Sequence, residues 1–195
     1  ASTTEKKIGT HSIAFDGTGD YLTIPNHNDF KFDGDYTVEC WFNTTSTSGG
    51  CFYSKHQPGV ANIGLFINRV SAGAMTWQDD KNGIYTTTGS NLNDGNWHHV
   101  ALVRNGSGSN NLKLYLDGTL ASTQSGSTAQ TQSSDIAIGY YINNNDQYLD
   151  GYIDEHRVSS SARYTSNFTP STTAFTSDAN TLLLIHGEAQ VAVPN

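Results

Sequence analysis

The chain of 195 residues has few cysteines, prolines and basic residues, with two Cys, four Pro and ten Lys plus Arg. No run of purely apolar residues exceeds four, as at Leu182–Ile185, so the roughly 18 apolar residues of a membrane-spanning helix are missing. The 18 acidic residues give a formal charge of −8, which repels nucleic-acid phosphates. We therefore expect neither nucleic-acid binding nor membrane insertion. Residues 1–10 do not resemble a signal peptide, so the export route stays unknown.

Glutamate is also scarce, with four residues against fourteen Asp. Glu favours helices, whereas Asp favours turns. Ser, Thr and Asn together occupy 61 positions, and the charged fraction of 14% is low for a disordered chain. The composition favours a folded, β-rich protein consisting of one domain.

Tight-turn pairs separate short stretches in which polar and apolar residues alternate. The pairs are Asp16-Gly17, Asp33-Gly34, Asp94-Gly95, Asp117-Gly118, Asp150-Gly151, Asn82-Gly83 and Asn105-Gly106. Alternation with a period of two, as in Tyr36–Phe42 and His99–Arg104, predicts strands. More than ten such stretches predict two packed antiparallel sheets, with at most one helical turn, at Ser160–Tyr164.

The two cysteines lie at mirror positions about a predicted turn. If Thr45 and Ser46 are the centre of a hairpin, Cys40 and Cys51 face each other across antiparallel strands. A cross-strand disulfide is then geometrically possible. The alternative is two reduced, buried cysteines.

Five blocks of the chain occur in a characteristic order. They are His11–Leu22, Tyr36–Phe42, Gly95–Ala101, Leu114–Gly118 and Asp150–Val158. Together they resemble the laminin-G-like group of the concanavalin A-like lectin/glucanase superfamily. The resemblance implies an all-β fold, a two-sheet antiparallel jelly-roll sandwich.

The C-terminal segments Ser161–Pro170 and Asp178–Gly187 resemble versions of this domain in phage and marine metagenomic structural proteins, which often carry tandem copies. This implies an extracellular or virion-associated protein whose partners are tandem copies or virion proteins. We expect an N-terminal extension at 1–10, the laminin-G-like domain at 11–178, and a C-terminal strand and tail at 179–195. Thr181–His186 either closes this sandwich or begins a following module.

In many sandwiches of this superfamily a calcium ion ties together an N-terminal strand, a turn and a late strand. Carried onto this chain, the resemblance implies a structural Ca²⁺ held by Asp16, the backbone near Gly34, and Asp154. Ordinary turn capping by Asp is the alternative. A second candidate is a rim site at Asp79, Asp80 or Asp146.

Sugar binding combines aromatic rings with amide and carboxylate side chains. Two segments offer this combination. The candidate residues are Trp77, Asp79, Asp80, Asn82 and Tyr85 at a predicted hairpin tip, and Tyr141, Asn143 and Tyr148 in a predicted polar loop. The alternatives are a cross-strand core pair of Trp77 with Tyr85, and a solvated turn.

No pattern for catalysis is present. A retaining glycosidase needs two carboxyl groups about 5–5.5 Å apart, and the chain lacks a Glu-x-Asp-x-x-Glu pattern. We therefore expect not an enzyme but a carbohydrate-binding, lectin-like module that recognises a glycan or other surface ligand, for example on a phage fibre or virion adhesin. The alternative is a structural or protein-interaction module without sugar binding.

Overall fold

The structure is a computed structural model that describes residues 1–57, 61–127, 132–141 and 147–188. Within these ranges the chain forms strands β1 (Ile13–Asp16), β2 (Leu22–Ile24), β3 (Tyr36–Asn43), β4 (Gly50–Gln57), β5 (Ala61–Ile67), β6 (Met75–Asp79), β7 (Ile84–Thr88), β8 (His98–Arg104), β9 (Leu112–Leu116), β10 (Thr119–Gln124), β11 (Ile136–Ile138), β12 (Asp150–Ser159) and β13 (Thr181–Ile185). Two short 3₁₀ turns lie at Asn28–Lys31 and Asp80–Asn82.

The strands form two antiparallel sheets, which confirms the predicted sandwich. The seven-stranded sheet has the order β1-β12-β3-β8-β9-β10, with β13 also paired to β12. The six-stranded sheet has the order β2-β11-β4-β5-β6-β7.

Strands β1 and β13 lie end to end along one edge of β12, whose other edge pairs with β3. Thr181–Ile185 therefore pairs within this sandwich. A Cβ added to Gly187 would lie 2.2 Å from the carbonyl oxygen of His11, so the chain after β13 lies directly against the chain before β1.

The turn between β9 and β10 shows how the Asp-Gly pairs act. Leu116 and Thr119 are partners in the hairpin, so Asp117 and Gly118 form a two-residue loop. Their φ angles are 48° and 76°, which matches the type I′ turn that suits the twist of a hairpin. A Cβ on Gly118 would also meet the carbonyl oxygen of Phe168 at 1.9 Å, so the sheet and the C-terminal segment require glycine there.

The main core lies between the two sheets. Phe42 of β3 and Phe52 of β4 contact each other across it, with ring centroids 4.5 Å apart. Trp77, Ile63 and Leu65 are fully buried in the same cluster. Alternate residues of each strand thus point into the core, and the residues between them point outward.

The predicted disulfide between Cys40 and Cys51 is wrong. Both cysteines are buried and free. The reason is that β3 and β4 do not form a hairpin, because they belong to different sheets. Cys40 packs in the main core, whereas Cys51 packs with Phe66 and Tyr141 on the other side of the six-stranded sheet.

The C-terminal segment after β12 covers the outer side of the seven-stranded sheet. The rings of Tyr164 and Phe168 stack at 3.5 Å there. The predicted helical turn at Ser160–Tyr164 is wrong, since the segment has no helical structure. Instead, the backbone N–H of Arg163 donates to Thr37 Oγ1 at 3.0 Å, so bonds to the sheet replace local helical ones.

Candidate functional site

The side of the six-stranded sheet that points away from the core carries both aromatic and polar side chains. On β5, Ile63 and Leu65 point into the core, so Asn62, Gly64 and Phe66 point the other way. We use the name outer face for this side, which consists of His56, Asn62, Gly64, Phe66, Gln78 and Tyr85, together with the adjoining Arg69, Asp80 and Tyr141.

At one end of the outer face, a guanidinium group packs on three rings. The Cζ atom of Arg69 lies 4.3 Å from the ring centre of Phe66, 4.8 Å from that of Tyr141 and 5.7 Å from that of Tyr85. Phe66 and Tyr141 are also in edge-to-face contact at 5.0 Å. These contacts hold the Arg69 side chain in place through cation–π attraction and packing.

At the other end, one carboxylate orients two amides. Asp80 Oδ1 accepts a hydrogen bond from Gln78 Nε2 at 2.7 Å, and Asp80 Oδ2 accepts one from Asn62 Nδ2 at 2.6 Å. The backbone N–H of Asn62 also donates to Asp80 Oδ2. Because their nitrogen atoms are bound to Asp80, both amides have fixed orientations.

Within the part of the chain that the structure describes, four buried polar atoms on the outer face have no hydrogen-bond partner: Arg69 Nη1, His56 Nδ1, Gln78 Oε1 and Asn62 Oδ1. His56 is only 8% exposed and Gln78 only 9%. Burial lowers the pKa of His56, although the nearby charge of Asp80 opposes that shift. A buried polar atom without a hydrogen-bond partner is destabilising. A cluster of four such atoms therefore indicates a place where a polar ligand could supply the missing partners.

The structure brings three of the predicted sugar-binding residues to this face, namely Asp80, Tyr85 and Tyr141. Tyr85 is 55% exposed and Asp80 is exposed, whereas Tyr141 is buried against Phe66. His56, Asn62, Arg69 and Gln78 were not predicted. Asn62 and Gln78 alternate with the buried apolar residues of β5 and β6. This alternation could have indicated that both side chains point away from the core.

The prediction that Trp77 presents its ring to a ligand is wrong. Trp77 is fully buried between the sheets, and its partner on β7 is Thr86 rather than Tyr85. Tyr85 pairs with Gln78 and points outward, so the alternative of a Trp77–Tyr85 core pair is also wrong.

Asp79 and Asn82 do not belong to the outer face either. Asp79 is fully buried, and its Oδ2 accepts a hydrogen bond from Asn82 Nδ2 at 2.8 Å. Its Oδ1 also accepts from the backbone N–H of Asn82, which caps the 3₁₀ turn. Both side chains therefore serve the turn between β6 and β7.

Tyr148 lies in a separate aromatic group near β2 and β11. Its ring stacks on Tyr140 at 4.5 Å, and Tyr21 contacts Tyr140 at 5.2 Å. Tyr21 is 48% exposed. We call Tyr21, Tyr140 and Tyr148 the rim tyrosines. Asn143 and Asp146 lie outside the described residues.

The predicted calcium ligands do not come together. Asp16 pairs with Asp150 at one end of β12, whereas Thr37, three residues after Gly34, pairs with Ser159 at the other end. Nine residue steps along a strand span about 30 Å. Asp154 lies between these two ends, four steps from Asp150 or about 13 Å, so the Asp16–Gly34–Asp154 set is wrong as the ligands of one ion.

The carboxylate of Asp154 has a different role. Its Oδ2 accepts backbone hydrogen bonds from Ile8 at 2.9 Å and from Lys7 at 3.1 Å. Burial raises the pKa of Asp154, and these two hydrogen bonds oppose that shift. In the described ranges, no three or more His, Cys, Asp and Glu side chains group together in a way that could hold a metal ion.

Comparison with protein families settles the relationship that the fold suggests. Residues 16–167 match a laminin G family described as belonging to the concanavalin A-like lectin/glucanases superfamily. The chain belongs to this superfamily. As a laminin-G-like domain, it is built on a scaffold that supports many unrelated functions, so its function has to be argued from the site.

Solved structures with the same fold include binding modules. A putative carbohydrate binding protein from Bacteroides ovatus has a TM-score of 0.70 at 17% identity, covering 90% of this chain and 51% of its own. Domains LG4-5 of the mouse laminin alpha1 chain give 0.61 at 20% identity, covering 86% and 47%. Domain 4 of the arabinanase AbnA from Geobacillus stearothermophilus, solved with arabinotriose, gives 0.55 at 18% identity, covering 77% and 71%. The laminin-G-like chain thus spans about half of the first two structures.

The helical segments of the described ranges are two short 3₁₀ turns, and none has the length and apolar character required to cross a membrane.

Proposed function

We propose that this laminin-G-like domain is a non-catalytic carbohydrate-binding module that binds a saccharide on its outer face. The observation that carries the proposal is the set of oriented, unpartnered polar atoms beside the exposed ring of Tyr85. Saccharides present hydroxyl groups around apolar ring faces, and amides next to aromatic rings complement both.

The relatives support the same class of function. One solved neighbour is described as a putative carbohydrate binding protein, and another is an arabinanase domain in complex with arabinotriose. At 17% and 18% identity they share the fold, and the choice of the outer face rests on the side chains of this chain.

The distribution of carboxylates favours binding over hydrolysis. Asp80 is exposed at the edge of the outer face, but both of its oxygen atoms already accept hydrogen bonds from Gln78 and Asn62. The neighbouring Asp79 is buried, and its carboxylate accepts a hydrogen bond from Asn82 Nδ2. Retaining glycosidases need two free carboxyl groups about 5–5.5 Å apart, and this pair does not supply them.

A polar cleft of about 290 Å³ on the other sheet is a weaker candidate. It is lined by Asn43, Thr44, Asp150 and Gly151, and Tyr152 is its aromatic residue. Asn43 and Thr44 already donate to backbone carbonyl oxygens, at 2.7 Å and 2.6 Å. The outer face therefore has more unused hydrogen-bonding capacity.

A glycan array with the purified chain tests the proposal. We expect reproducible binding, weakened about tenfold by Tyr85→Ala, because the variant loses one large aromatic contact. Tyr21→Ala, which removes a ring of similar exposure from the rim tyrosines, is the matched control and should bind like wild type. A blank array together with stable self-association would favour the structural, protein-interaction alternative. Binding lost only in Tyr21→Ala would move the site to the rim tyrosines.

We also propose that the domain works outside the cell, on a surface or virion protein with tandem copies as neighbours. The family relationship to laminin domains supports the extracellular setting. The neighbouring reading frames test the rest: virion genes and repeated copies beside this domain are expected, and an isolated copy among genes for intracellular enzymes would contradict it.

A further inference from the structure

Among the residues that the structure describes, no acidic side chain neutralises the charge of Arg69 on the outer face. In the described ranges, Arg69 makes no ion pair and no hydrogen bond, and its contacts are the rings of Phe66, Tyr85 and Tyr141. By contrast, Arg157 and Arg163 each bind a carboxylate. Arg104 also lacks a carboxylate partner, but its Nη1 donates to the carbonyl oxygen of Phe32 at 3.3 Å, whereas Arg69 has neither kind of partner among the described residues.

We infer that this site takes an acidic saccharide, whose carboxylate or sulfate group binds the Arg69 guanidinium. The inference rests on the proposed function and specifies its ligand class. Rings that stack on a guanidinium leave its N–H edge available, and a planar guanidinium edge fits carboxylate and sulfate oxygens with two parallel hydrogen bonds. Nη1 of Arg69 is buried without an acceptor among the described residues, whereas Nε and Nη2 are not buried, so the edge that these two nitrogens share is the one that the acidic group would bind.

The arrangement of donors and acceptors also determines in which orientation the ligand lies on the outer face. Gln78 Oε1 and Asn62 Oδ1 are unpartnered acceptors, so they suit the hydroxyl groups of a sugar. The negative charge of Asp80 is at their end and would repel an anion there. The acidic group must therefore lie at the Arg69 end, and the hydroxyl groups at the Asn62 end.

The separation of the two ends sets the size of the ligand. Asn62 and Phe66, on which Arg69 packs, are four residues apart on β5, or about 13 Å. Gly64 and Gln78 are register partners between them. A span longer than one sugar ring indicates an oligosaccharide. His56, buried and unpartnered at Nδ1, lies opposite Asn62 in the register and adds a hydrogen-bonding group at the hydroxyl end.

The test compares charged and neutral probes of the same length. An array of uronate-containing, sulfated and neutral oligosaccharides is followed by calorimetric titration of the best acidic binder. A uronate binder is compared with its methyl ester and a sulfated one with its desulfated form, so the two arms separate carboxylate from sulfate. We expect removal of the charge to weaken binding by about 10- to 100-fold, and Arg69→Gln to weaken binding of the acidic probe by the same factor.

Two further variants make the result decisive. Lys81→Gln removes one positive charge from the neighbouring turn and should bind like wild type, which separates a specific contact from a change in net charge. Arg69→Lys keeps the charge without the planar edge and should bind with intermediate affinity. Circular dichroism of each variant verifies that it is folded.

The outcomes separate the inference from the function on which it rests. Neutral oligosaccharides that bind as tightly as acidic ones, with binding lost in Tyr85→Ala, would overturn the acidic ligand and leave carbohydrate binding in place. The acidic ligand would also be overturned if Arg69→Gln bound the acidic probe as wild type does, or if Lys81→Gln lost as much affinity. No binding to any probe would overturn both.

Discussion

Arg157 directs two of its nitrogen atoms to a single oxygen of Glu39, with Nε and Nη2 lying 2.8 Å and 2.7 Å from Oε1. The other oxygen of Glu39 accepts a hydrogen bond from the Tyr164 hydroxyl at 2.7 Å and lies 3.3 Å from His99 Nε2. Burial alone would raise the pKa of Glu39, but the neighbouring imidazole of His99 and the charge of Arg157 hold it below its usual value. The ion pair thus joins β3 and β12 beneath the C-terminal segment.

Removing one partner of this ion pair should be strongly destabilising. In Arg157→Ala the carboxylate of Glu39 stays buried without its cation, so we expect the free energy of unfolding to fall by about 3–5 kcal/mol. Urea unfolding at pH 7 measures the change. Arg163→Ala, which breaks the more exposed pair with Asp178, is the control and should lose much less stability. Equal losses in the two variants would contradict the assigned role of Glu39.

Stability should fall in mild acid because of His156. This side chain is fully buried, and its Nε2 donates to the carbonyl oxygen of Phe52 at 3.2 Å. Burial lowers its pKa from 6.5 to about 4. Between these pH values the unfolded chain binds a proton that the folded protein does not, so the free energy of unfolding decreases as the pH falls through this window, by roughly 3 kcal/mol in total.

Unfolding curves at several pH values between 7 and 4 measure this effect. His156→Gln keeps a hydrogen-bond donor but does not titrate, so its stability should depend less on pH in this window. His27→Gln, at an exposed position, should follow the wild-type dependence. A His156→Gln profile parallel to that of wild type would show that other groups cause the acid sensitivity.

Both cysteines should be present as free thiols. Burial raises the pKa of Cys51 to about 12 and that of Cys40 well above its usual value, so neither thiol should react rapidly in the folded protein. A thiol assay should find two groups after denaturation without reductant, and close to none before it. A count of zero thiols in the denatured sample would show that Cys40 and Cys51 are disulfide-bonded after all.

Gly64 should be essential to the outer face. A Cβ at this position would lie 2.2 Å from the ring of Phe66, so Gly64→Ala must displace the ring on which Arg69 and Tyr141 pack. We expect a loss of about 1–3 kcal/mol of stability and of saccharide binding. Gly34→Ala, with open space around the added carbon, is the control. Unchanged binding in Gly64→Ala would show that the packed ring is not needed.

Stabilisation by calcium stays a prediction. The hydrogen bonds that Asp154 accepts from Lys7 and Ile8 provide a way to separate the effect of calcium from the effect of this side chain. Asp154→Ala should detach the N-terminal segment and lower stability by about 2 kcal/mol through lost hydrogen bonds, with or without calcium. Thermal melting with calcium and with chelator measures both effects. A difference between calcium and chelator that disappears in Asp154→Ala would mean that this carboxylate binds the ion after all.

Strand positions could be predicted from the sequence because burial alternates along a strand with the direction of the side chains. The predicted strand Tyr36–Phe42 is Tyr36–Asn43 in the structure, and the predicted His99–Arg104 is His98–Arg104. The same alternation does not reveal to which sheet a strand belongs. Cys40 and Cys51 are symmetric about Thr45 and Ser46, but these two residues belong to the connection 44–49, which crosses from one sheet to the other.

The candidate site was predictable only in part, for a related reason. Residue type indicated Asp80, Tyr85 and Tyr141, but only the register with the core strands shows that Trp77 points inward. Arg69 follows the end of β5, and Tyr141 comes from a segment more than seventy residues away. Their contact depends on the packing of two loops over a strand, which no local sequence pattern describes.

The junction of β1 and β13 on β12 has a consequence for how the domain connects to a longer polypeptide. The chain near His11 touches the chain near Gly187, and Ser2 forms a β-bridge with Ser12, so residues 1–2 and 187–188 lie close together midway along one edge of the seven-stranded sheet. The outer face belongs to the opposite sheet. A short linker from residue 188 to residue 1 should therefore close the chain without crossing the outer face, so a circular permutation with new ends in an exposed turn should keep the fold.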